Sequence, residues 1–381
     1  MKKKILRVLS YVLVAALASG VTYCIADTDT TRPSKLDELE ALIVERFIGE
    51  ADTTEMEDAA ADAMIEALGD RWSYYIPADE YASYMEQMNN AYVGVGITIQ
   101  LREDGYIDVV QVAQGGGAEE AGLLVGAILT EANGLDVSEM GMDGTKKVVR
   151  GAEGTTVELT VLRGEEELTF TVKRRTIETV VAEGTLLEGN IGYIKIANFD
   201  SRCADETIAA IEAMIEQGAT VLLFDVRYNP GGYKNELVKV LDYLLPEGPL
   251  FRSEEYTGKV TVDESAAKCL DMPMAVLVNG SSYSAAEFFA AALSEYDAAT
   301  VGGTQTSGKG YFQRTYQLSD GSAVGLSVGK YTTPNGVSLA GVGITPDFVV
   351  EVDDETAAQI YGGLLDPMED PQILKAIEIL K

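Results

Sequence analysis

The segment from about residue 176 to residue 350 alternates short apolar runs with amphipathic stretches. The apolar runs, which predict buried strands, are Ile191–Ile196, Val221–Val226 and Met274–Val278. Apolar residues at helical spacing predict helices at Asp205–Gln217, Asn235–Leu245 and Ser284–Glu295. Strands and helices that alternate in this order form a mostly parallel sheet with right-handed crossovers. We therefore predict an α/β core on a mostly parallel sheet for residues 176–350.

Residues 92–175 have a different pattern, in which strand-like alternation and frequent glycines replace the helical periods. The predicted strands are Gly96–Leu101, Ile107–Val112, Ile128–Ala132, Thr156–Arg163 and Glu167–Lys173. Short helices are expected at Ala118–Ala121 and near Lys146–Val149. This segment is therefore predicted to be a small β-rich domain that precedes the α/β core.

The two ends of the chain are predicted to be helical. Residues 33–91 form an N-terminal helical region with acidic helices, and residues 351–381 form a C-terminal helical tail. The last helix, Pro371–Leu380, carries Ile373 and Ile377 on one face, so it should pack on the body of the protein or on a partner subunit. With 381 residues in all, the chain is expected to be a multi-domain α+β protein.

Residues 1–26 have the composition of an export signal. Three lysines and Arg7 are followed by 19 uncharged residues, Val8 to Ala26, which is nearly enough for a helix to cross a bilayer. The positive flank should stay in the cytoplasm, so the rest of the chain would lie outside. A cleaved signal peptide is the alternative, since Ala16-Leu17-Ala18 resembles a cleavage site. We favour an uncleaved membrane anchor, because the apolar run continues to Ile25.

The composition excludes several classes of function. The chain has no histidine, so it can form neither a Ser-His-Asp triad nor a histidine-ligated metal site. Its net charge of −32 repels phosphates, so nucleic acid is not an expected partner. Only Cys203 and Cys269 follow the N-terminal segment, which is too few for a disulfide scaffold. Any hydrolase chemistry here must use a base other than histidine.

Ser284 is a candidate nucleophile. It follows the apolar strand Met274–Val278 and opens a helix, where free backbone N–H groups and the helix dipole favour negative charge. A serine at such a position more often serves only as an N-cap, and this alternative stays open on these residues alone.

Lys309 is the candidate base for this serine. It stands between two glycines, in a segment without other charges from Val301 to Gln313. Burial would lower the pKa of such a lysine toward neutrality and make the free amine a competent base. Gln313 lies four residues on, so in an extended chain its amide would share a face with Lys309 and could orient the amine. By itself, Gly-Lys-Gly is more often a solvated turn or a phosphate contact.

A third segment, Phe224–Gly232, is a strand that ends in a Pro-Gly-Gly turn. Gly231 and Gly232 allow the backbone to approach a substrate carbonyl and to direct an N–H group at it.

Together these segments resemble the carboxyl-terminal processing (tail-specific) protease family, whose members are serine peptidases with a Ser-Lys dyad. The shared motifs are Asp-x-Arg-x-Asn-Pro-Gly-Gly, Ser-x-Ser-Ala-x-Glu and Gly-Lys-Gly. The resemblance implies that Ser284 is the nucleophile, Lys309 the general base and Gln313 the residue that orients it. It extends over nearly the whole chain after residue 26. Tyr283 departs from the family pattern, since a small residue is usual there.

The same resemblance implies the rest of the catalytic apparatus. The oxyanion donors would be the N–H groups of Ala285 and Gly231, with Gly232 as a close second choice. The chemistry of this family requires no metal and no cofactor.

Residues 92–175 resemble the PDZ domain that these proteases carry before the catalytic core. The resemblance implies that the backbone N–H groups of Val95, Gly96 and Ile97 bind the terminal carboxylate of a peptide. A glycine-rich bulge at the start of a strand is the alternative for Gly96.

Two functions are compatible with these residues. The first is an exported, membrane-anchored endopeptidase that recognises protein tails with a free C-terminus and cleaves them through an acyl-enzyme. The alternative is a non-catalytic adaptor that binds C-termini through the PDZ domain. An adaptor would have no need for Ser284, Lys309 and Gln313 together, so we favour the peptidase. The terminal helices make a homodimer plausible.

Overall fold

The computed structural model describes residues 33–266 and 269–380. The predicted anchor at residues 1–26 lies outside them. Among the described residues, none of the helices has both the length and the apolar character needed to cross a bilayer.

Residues 33–69 form a unit of their own with two helices. Helix α1 spans Lys35–Arg46 and helix α2 spans Thr53–Glu66. The side chain of Ser34 caps α1 by accepting a hydrogen bond from the Asp37 N–H, and Asp52 caps α2. The second unit starts at Asp70, so part of the predicted 33–91 helical region belongs with the rest of the protein.

The α/β core is built on a six-stranded sheet. In order across the sheet, its strands are β10 (Ala182–Leu187), β11 (Ile191–Ile196), β12 (Val221–Asp225), β15 (Met274–Val278), β16 (Ala299–Gly303) and β19 (Phe348–Val349). Only β10 pairs antiparallel with its neighbour, and the other four pairs are parallel. The prediction of a mostly parallel sheet is confirmed.

Helices cover both faces of this sheet. They are α6 (Cys203–Glu216), α7 (Lys234–Leu244), α8 (Ala285–Glu295) and α10 (Pro371–Leu380). Helices α6, α7 and α8 pack on one face of the sheet, where they form a single hydrophobic core with alternate strand residues such as Phe224 and Val276. The buried residues Ile373 and Ile377 of α10 pack on the opposite face, against Leu223 and Leu277. The last helix therefore docks on the body of the protein.

A second sheet of five antiparallel strands lies beside the core and was not predicted. Its strands are β1 (Tyr74–Ile76), β13 (Gly248–Glu255), β14 (Val260–Ser265), β17 (Tyr311–Gln317) and β18 (Ala323–Thr332). Strand β18 is central, since it pairs with β1, β13 and β17. This sheet joins a strand from the predicted helical region to strands near the end of the core.

The β-rich domain has the predicted strands, with boundaries shifted by no more than one residue. They are β3 (Ile97–Leu101), β4 (Ile107–Val112), β5 (Ile128–Ala132), β7 (Thr156–Arg163) and β8 (Glu166–Lys173), and the short strand β6 (Leu135–Asp136) was not predicted. Its helices are α4 (Gly117–Glu120) and α5 (Val137–Val149), and Leu129, Leu159 and other buried residues form a separate core. Strands β2 (Ala91–Gly94) and β9 (Arg175–Glu178) pair with each other where the chain enters and leaves the domain.

Two short helices complete the second unit, α3 (Tyr81–Met88) and α9 (Asp354–Gly362). Both cysteines in the described chain are free: Cys203 is buried and Cys269 is exposed.

Candidate active site

Ser284 lies at the sharp turn between strand β15 and helix α8. Its φ of 57° and ψ of −125° are unusual for a residue with a side chain, and such a conformation costs on the order of 1–3 kcal/mol. The turn is fixed by Ser282, whose hydroxyl donates to the Val226 carbonyl at 2.7 Å and accepts from the Asn279 N–H at 3.0 Å. A buried strand, a tight turn and a helix N-terminus thus hold one serine at the edge of the sheet.

Glu287, one turn into α8, joins this serine to the loop that carries Lys309. The fully buried carboxylate accepts hydrogen bonds from four donors. They are the N–H groups of Ser284 (3.0 Å), Gly308 (2.8 Å) and Lys309 (2.9 Å), and the hydroxyl of Thr306 (2.6 Å). No role was predicted for this glutamate, although the motif Ser-x-Ser-Ala-x-Glu contains it.

The amine of Lys309 lies against two aromatic rings. Its Nζ is 4.8 Å from the ring centroid of Trp72 and 5.7 Å from that of Tyr283. Burial lowers the pKa of Lys309 to about 8, while the negative charges of Asp70 and Glu287 act in the opposite direction. Among the described residues, no acceptor, Ser284 Oγ included, forms a hydrogen bond with this amine. A pKa near 8 leaves part of the lysine neutral at ordinary pH.

Gln313 lies on β17 and lines the same cleft as Ser284 and Lys309. Its amide nitrogen donates to Ser327 Oγ at 3.0 Å and to the Tyr311 carbonyl at 3.2 Å. The structure therefore brings Gln313 to the site but bonds its amide to Ser327 and not to Lys309.

Asp70 and Ser73 extend this network. Ser73 donates to Asp70 at 2.6 Å and accepts a hydrogen bond from the Ser327 N–H at 3.1 Å. Burial acts to raise the pKa of Asp70, but hydrogen bonds from Ser327 and Ser73 outweigh it and hold that pKa below its usual value. Asp70 is thus an anion whose charge acts on Lys309, a role that was not predicted from the sequence.

The turn after β12 lies directly against Ser284. Gly231 has a φ of 90°, and a Cβ there would lie 2.7 Å from the Cβ of Ser284 and 2.9 Å from the Ala285 nitrogen. The Gly231 N–H donates to Asn229 Oδ1 at 2.8 Å, so it is already bonded. Within the described residues, the N–H groups of Gly232 and Ala285 have no acceptor. These two groups are free to bind a substrate oxygen.

Buried ion pairs fix the start of this turn. Arg227 bonds Asp225 at 2.5 Å and Asp370 at 2.8 Å, and all three side chains are almost fully buried. The Asp225 carboxylate also accepts a hydrogen bond from the Tyr193 hydroxyl at 2.7 Å. Burial opposes ionisation of Asp225, but the Arg227 charge and these hydrogen bonds keep its pKa below the usual value. The Asp and Arg of the Asp-x-Arg-x-Asn motif therefore anchor the turn.

These elements enclose a cleft of about 810 Å³. Its walls include Ser284, Ala285, Lys309, Gly231, Gly232 and Tyr331. The cleft is large enough for an extended peptide segment. A serine hydroxyl, a lysine of lowered pKa and free N–H donors on one such cleft suit acyl transfer.

The predicted carboxylate loop lies in the β-rich domain and does not line this cleft. Val95 and Gly96 connect β2 to β3, and Ile97 begins β3. The carbonyls of Val95 and Gly96 accept hydrogen bonds from Ala118 (2.8 Å) and Ala113 (2.9 Å), and Gly96 has a φ of 81°. In the described chain, the N–H groups of Val95 and Gly96 are not bonded.

The catalytic and β-rich parts each match a known family. The family model of Peptidase family S41 matches residues 190–350, and that of the PDZ domain matches residues 109–163. A "Probable CtpA-like serine protease" of Staphylococcus aureus strain N315 is 30% identical to this chain over 351 residues, which cover 91% of this chain and 70% of the relative. The chain belongs to peptidase family S41.

Two further similarities agree with this family. A relative of the same name from Staphylococcus epidermidis is 30% identical over 347 residues, or 90% of this chain and 70% of the relative. The crystal structure of a putative S41 protease from Bacteroides fragilis has a TM-score of 0.53, with 15% identity over 90% of this chain and 96% of that one, which supports the fold. This S41 member is a serine-type peptidase of the CtpA-like C-terminal processing group, and it carries a PDZ domain. No finding favours the non-catalytic adaptor.

Proposed function

We propose that this S41 peptidase cleaves proteins that present a free carboxyl-terminal tail, with Ser284 as nucleophile and Lys309 as general base. The observation that carries the proposal is the bonding of Glu287 to the backbones of both residues, which joins nucleophile and base at one cleft. The substrate class of proteins and peptides follows from the family and from the PDZ domain.

The first step needs neutral Lys309 close to Ser284. In the resting protein Nζ lies by Trp72, so its flexible side chain must turn toward Ser284 Oγ when substrate is bound. The amine then takes the hydroxyl proton while Oγ attacks the peptide carbonyl, and the resulting ammonium protonates the leaving amine. Gln313 is proposed to orient the lysine, with Ser327 holding its amide near the site.

The oxyanion of the tetrahedral intermediate would be bound by backbone N–H groups. Ala285 and Gly232 supply free N–H donors at the cleft. The Gly231 N–H would first have to break its hydrogen bond to Asn229 Oδ1. We therefore propose Ala285 and Gly232 as the principal pair and Gly231 as the close alternative. A single lost donor of this kind costs about 100- to 1,000-fold in kcat.

The PDZ domain is proposed to select the substrate. Free N–H groups at Val95 and Gly96, together with that of Ile97 at the start of β3, would bind the terminal carboxylate, and the peptide would extend along β3.

We further propose that the protein is exported and anchored through residues 1–26, and that it forms a homodimer. Support for export is the basic flank followed by 19 uncharged residues. Support for a dimer is the row of exposed apolar side chains on α1, including Leu36, Leu39 and Leu42. Light scattering of the protein and of a Leu39→Glu, Leu42→Glu variant tests the dimer, since only the unsubstituted chain should have twice the monomer mass.

The catalytic assignment is tested with a fluorophosphonate probe and mass mapping of the labelled residue. Ser284 should carry the label, and Ser284→Ala should hydrolyse no peptide while it keeps the wild-type circular dichroism spectrum. Lys309→Ala should be equally inactive, and Lys309→Arg should not recover activity, because a guanidinium stays charged. Near-native turnover in either alanine variant would contradict the dyad.

A further inference from the structure

Tyr331 is the one side chain that bonds the hydroxyl of Ser284 in the described part of the chain. Its Oη lies 3.2 Å from Ser284 Oγ, and both groups are buried. No other described residue hydrogen-bonds the Tyr331 hydroxyl. This contact occurs at the proposed nucleophilic atom itself, to which neither the Lys309 amine nor the Gln313 amide is hydrogen-bonded.

The ring of Tyr331 is held in place without its hydroxyl. It packs against Phe251, Phe288 and Phe312, with ring centroids 5.0, 4.9 and 5.4 Å away. The Tyr331 N–H donates to the Gly310 carbonyl at 3.0 Å, next to Lys309. Phenylalanine would fill the same space, and it would avoid the cost of burying a hydroxyl. The hydroxyl is therefore not explained by packing.

The Tyr331 hydroxyl is available as a neutral hydrogen-bond donor. Burial raises its pKa to about 12, so the phenol keeps its proton wherever Lys309 titrates. With this proton in place, the phenol can donate a hydrogen bond.

We propose that Tyr331 is a further catalytic residue, whose hydroxyl donates a hydrogen bond to Ser284 Oγ during attack. With Tyr331 bonded to a lone pair of Oγ, the serine proton is left free to point at Lys309. The proton of Ser284 passes to neutral Lys309, Oγ forms a bond to the carbonyl carbon, and the carbonyl π electrons move to the substrate oxygen. Tyr331 keeps its own proton throughout and stabilises the charge that develops on Oγ. This inference rests on the proposed roles of Ser284 and Lys309.

The test is Tyr331→Phe in the full chain, with Tyr316→Phe as the matched control. Tyr316 lies on the neighbouring strand β17, and its side chain is 43% exposed. Since hydrogen bonds to a charged oxygen are stronger than neutral ones, kcat should fall by about 10- to 100-fold in Tyr331→Phe, while KM stays within about twofold. The rate of fluorophosphonate labelling at Ser284 should fall by a similar factor, and the melting temperature should not drop. Tyr316→Phe should match the wild type in kcat, KM, labelling rate and melting temperature.

The outcomes separate this inference from the proposed function. An active Tyr331→Phe beside an inactive Ser284→Ala would overturn the role of Tyr331 alone, and an active Ser284→Ala would overturn the proposed function. The role of Tyr331 would also be overturned if Tyr331→Phe lost activity only through a higher KM. The same holds if Tyr316→Phe lost as much activity as Tyr331→Phe. The apparent pKa of the kcat/KM profile should be unchanged in Tyr331→Phe, because the base is Lys309. A profile that lost its rise with pH would show Tyr331 to be the base and would refute the donor role.

Discussion

The Oε2 atom of Glu287 accepts a hydrogen bond from the backbone N–H of Lys309 at 2.9 Å, although 22 residues separate them. The same atom accepts the N–H of Ser284, so one buried carboxylate fixes the backbones of the proposed nucleophile and base. The Glu287 carboxylate bonds the backbone N–H groups of these two residues, so we expect it to act by positioning both.

Glu287→Gln should therefore reduce catalysis and stability together. A glutamine side chain offers one acceptor oxygen in place of two, so at least one buried N–H loses its partner at a cost of about 1–3 kcal/mol. We expect a lower melting temperature and a fall in kcat that exceeds any rise in KM. Glu216→Gln, at an exposed position of α6, is the control. Wild-type kcat in Glu287→Gln would contradict the positioning role.

The rate of peptide hydrolysis should rise with pH through a pKa near 8. Burial lowers the pKa of Lys309 to about 8, and only the neutral amine can accept the serine proton. kcat/KM should therefore increase from about pH 6 and level off above about pH 9. The measurement is a pH–rate profile under conditions in which chemistry limits the rate. A flat profile over this range would argue against lysine as the base.

Asp70→Asn should move this profile to lower pH. The Asp70 carboxylate raises the pKa of Lys309, so its removal lets burial lower that pKa further. The rise in kcat/KM should then occur at a lower pH than in the wild type. Asp79→Asn, at an exposed position, should leave the profile in place. If the rise in kcat/KM moved to higher pH in Asp70→Asn, Asp70 would not act on Lys309 through its charge.

Lys309→Met should stabilise the protein in a pH-dependent way. The pKa of Lys309 falls from its ordinary value of 10.5 in the unfolded chain to about 8 in the folded protein, so protonation favours the unfolded chain. The wild type therefore loses stability as the pH falls from about 10.5 to about 8, and the full penalty persists below that range. The melting temperature of Lys309→Met should exceed that of the wild type at about pH 6.5, with a smaller difference at about pH 10.5. An equal difference at both values would rule out a buried, titrating lysine.

The PDZ domain should distinguish a free acid from an amide at the end of a peptide. In calorimetry with the Ser284→Ala chain, a peptide with an apolar terminal residue should bind more tightly as the acid than as the amide. The expected difference is about 1.5–3 kcal/mol, the value of a hydrogen bond to a charged group. Equal affinities would leave Val95, Gly96 and Ile97 without a carboxylate-binding role.

Gly96 itself is a poor position for this test. Its φ of 81° is strained for other residues, and a Cβ would lie 3.2 Å from the backbone of Gly116 and 3.3 Å from Ala113. A substitution there would disturb the domain as well as the loop. The test should therefore vary the terminus of the peptide and leave Gly96 unchanged.

Local sequence patterns do not predict which strands pair in a sheet. Strand β1 at residues 74–76 pairs with β18 at residues 323–325, and nothing in the local sequence of either segment specifies that pairing. Apolar periodicity reports that a segment is extended and half-buried, but the partner is chosen by the packing of the whole chain. The antiparallel sheet was for this reason not predicted, whereas the parallel sheet was.

The sequence by itself determined the α/β core, the β-rich domain and the three motifs that indicate a serine peptidase without histidine. These are local signals, since a buried strand, a turn glycine or a Gly-Lys-Gly segment is recognised within a few residues. The tertiary structure decided which groups meet. Lys309 precedes β17 and Gln313 lies on it, where the Gln313 amide bonds Ser327 of β18 and not the lysine amine. Likewise, the bond from Gly231 to Asn229 leaves Gly232 as the free donor, and β18 brings Tyr331 to Ser284. Such contacts depend on distances of a few tenths of an ångström between remote segments, which only the folded chain specifies.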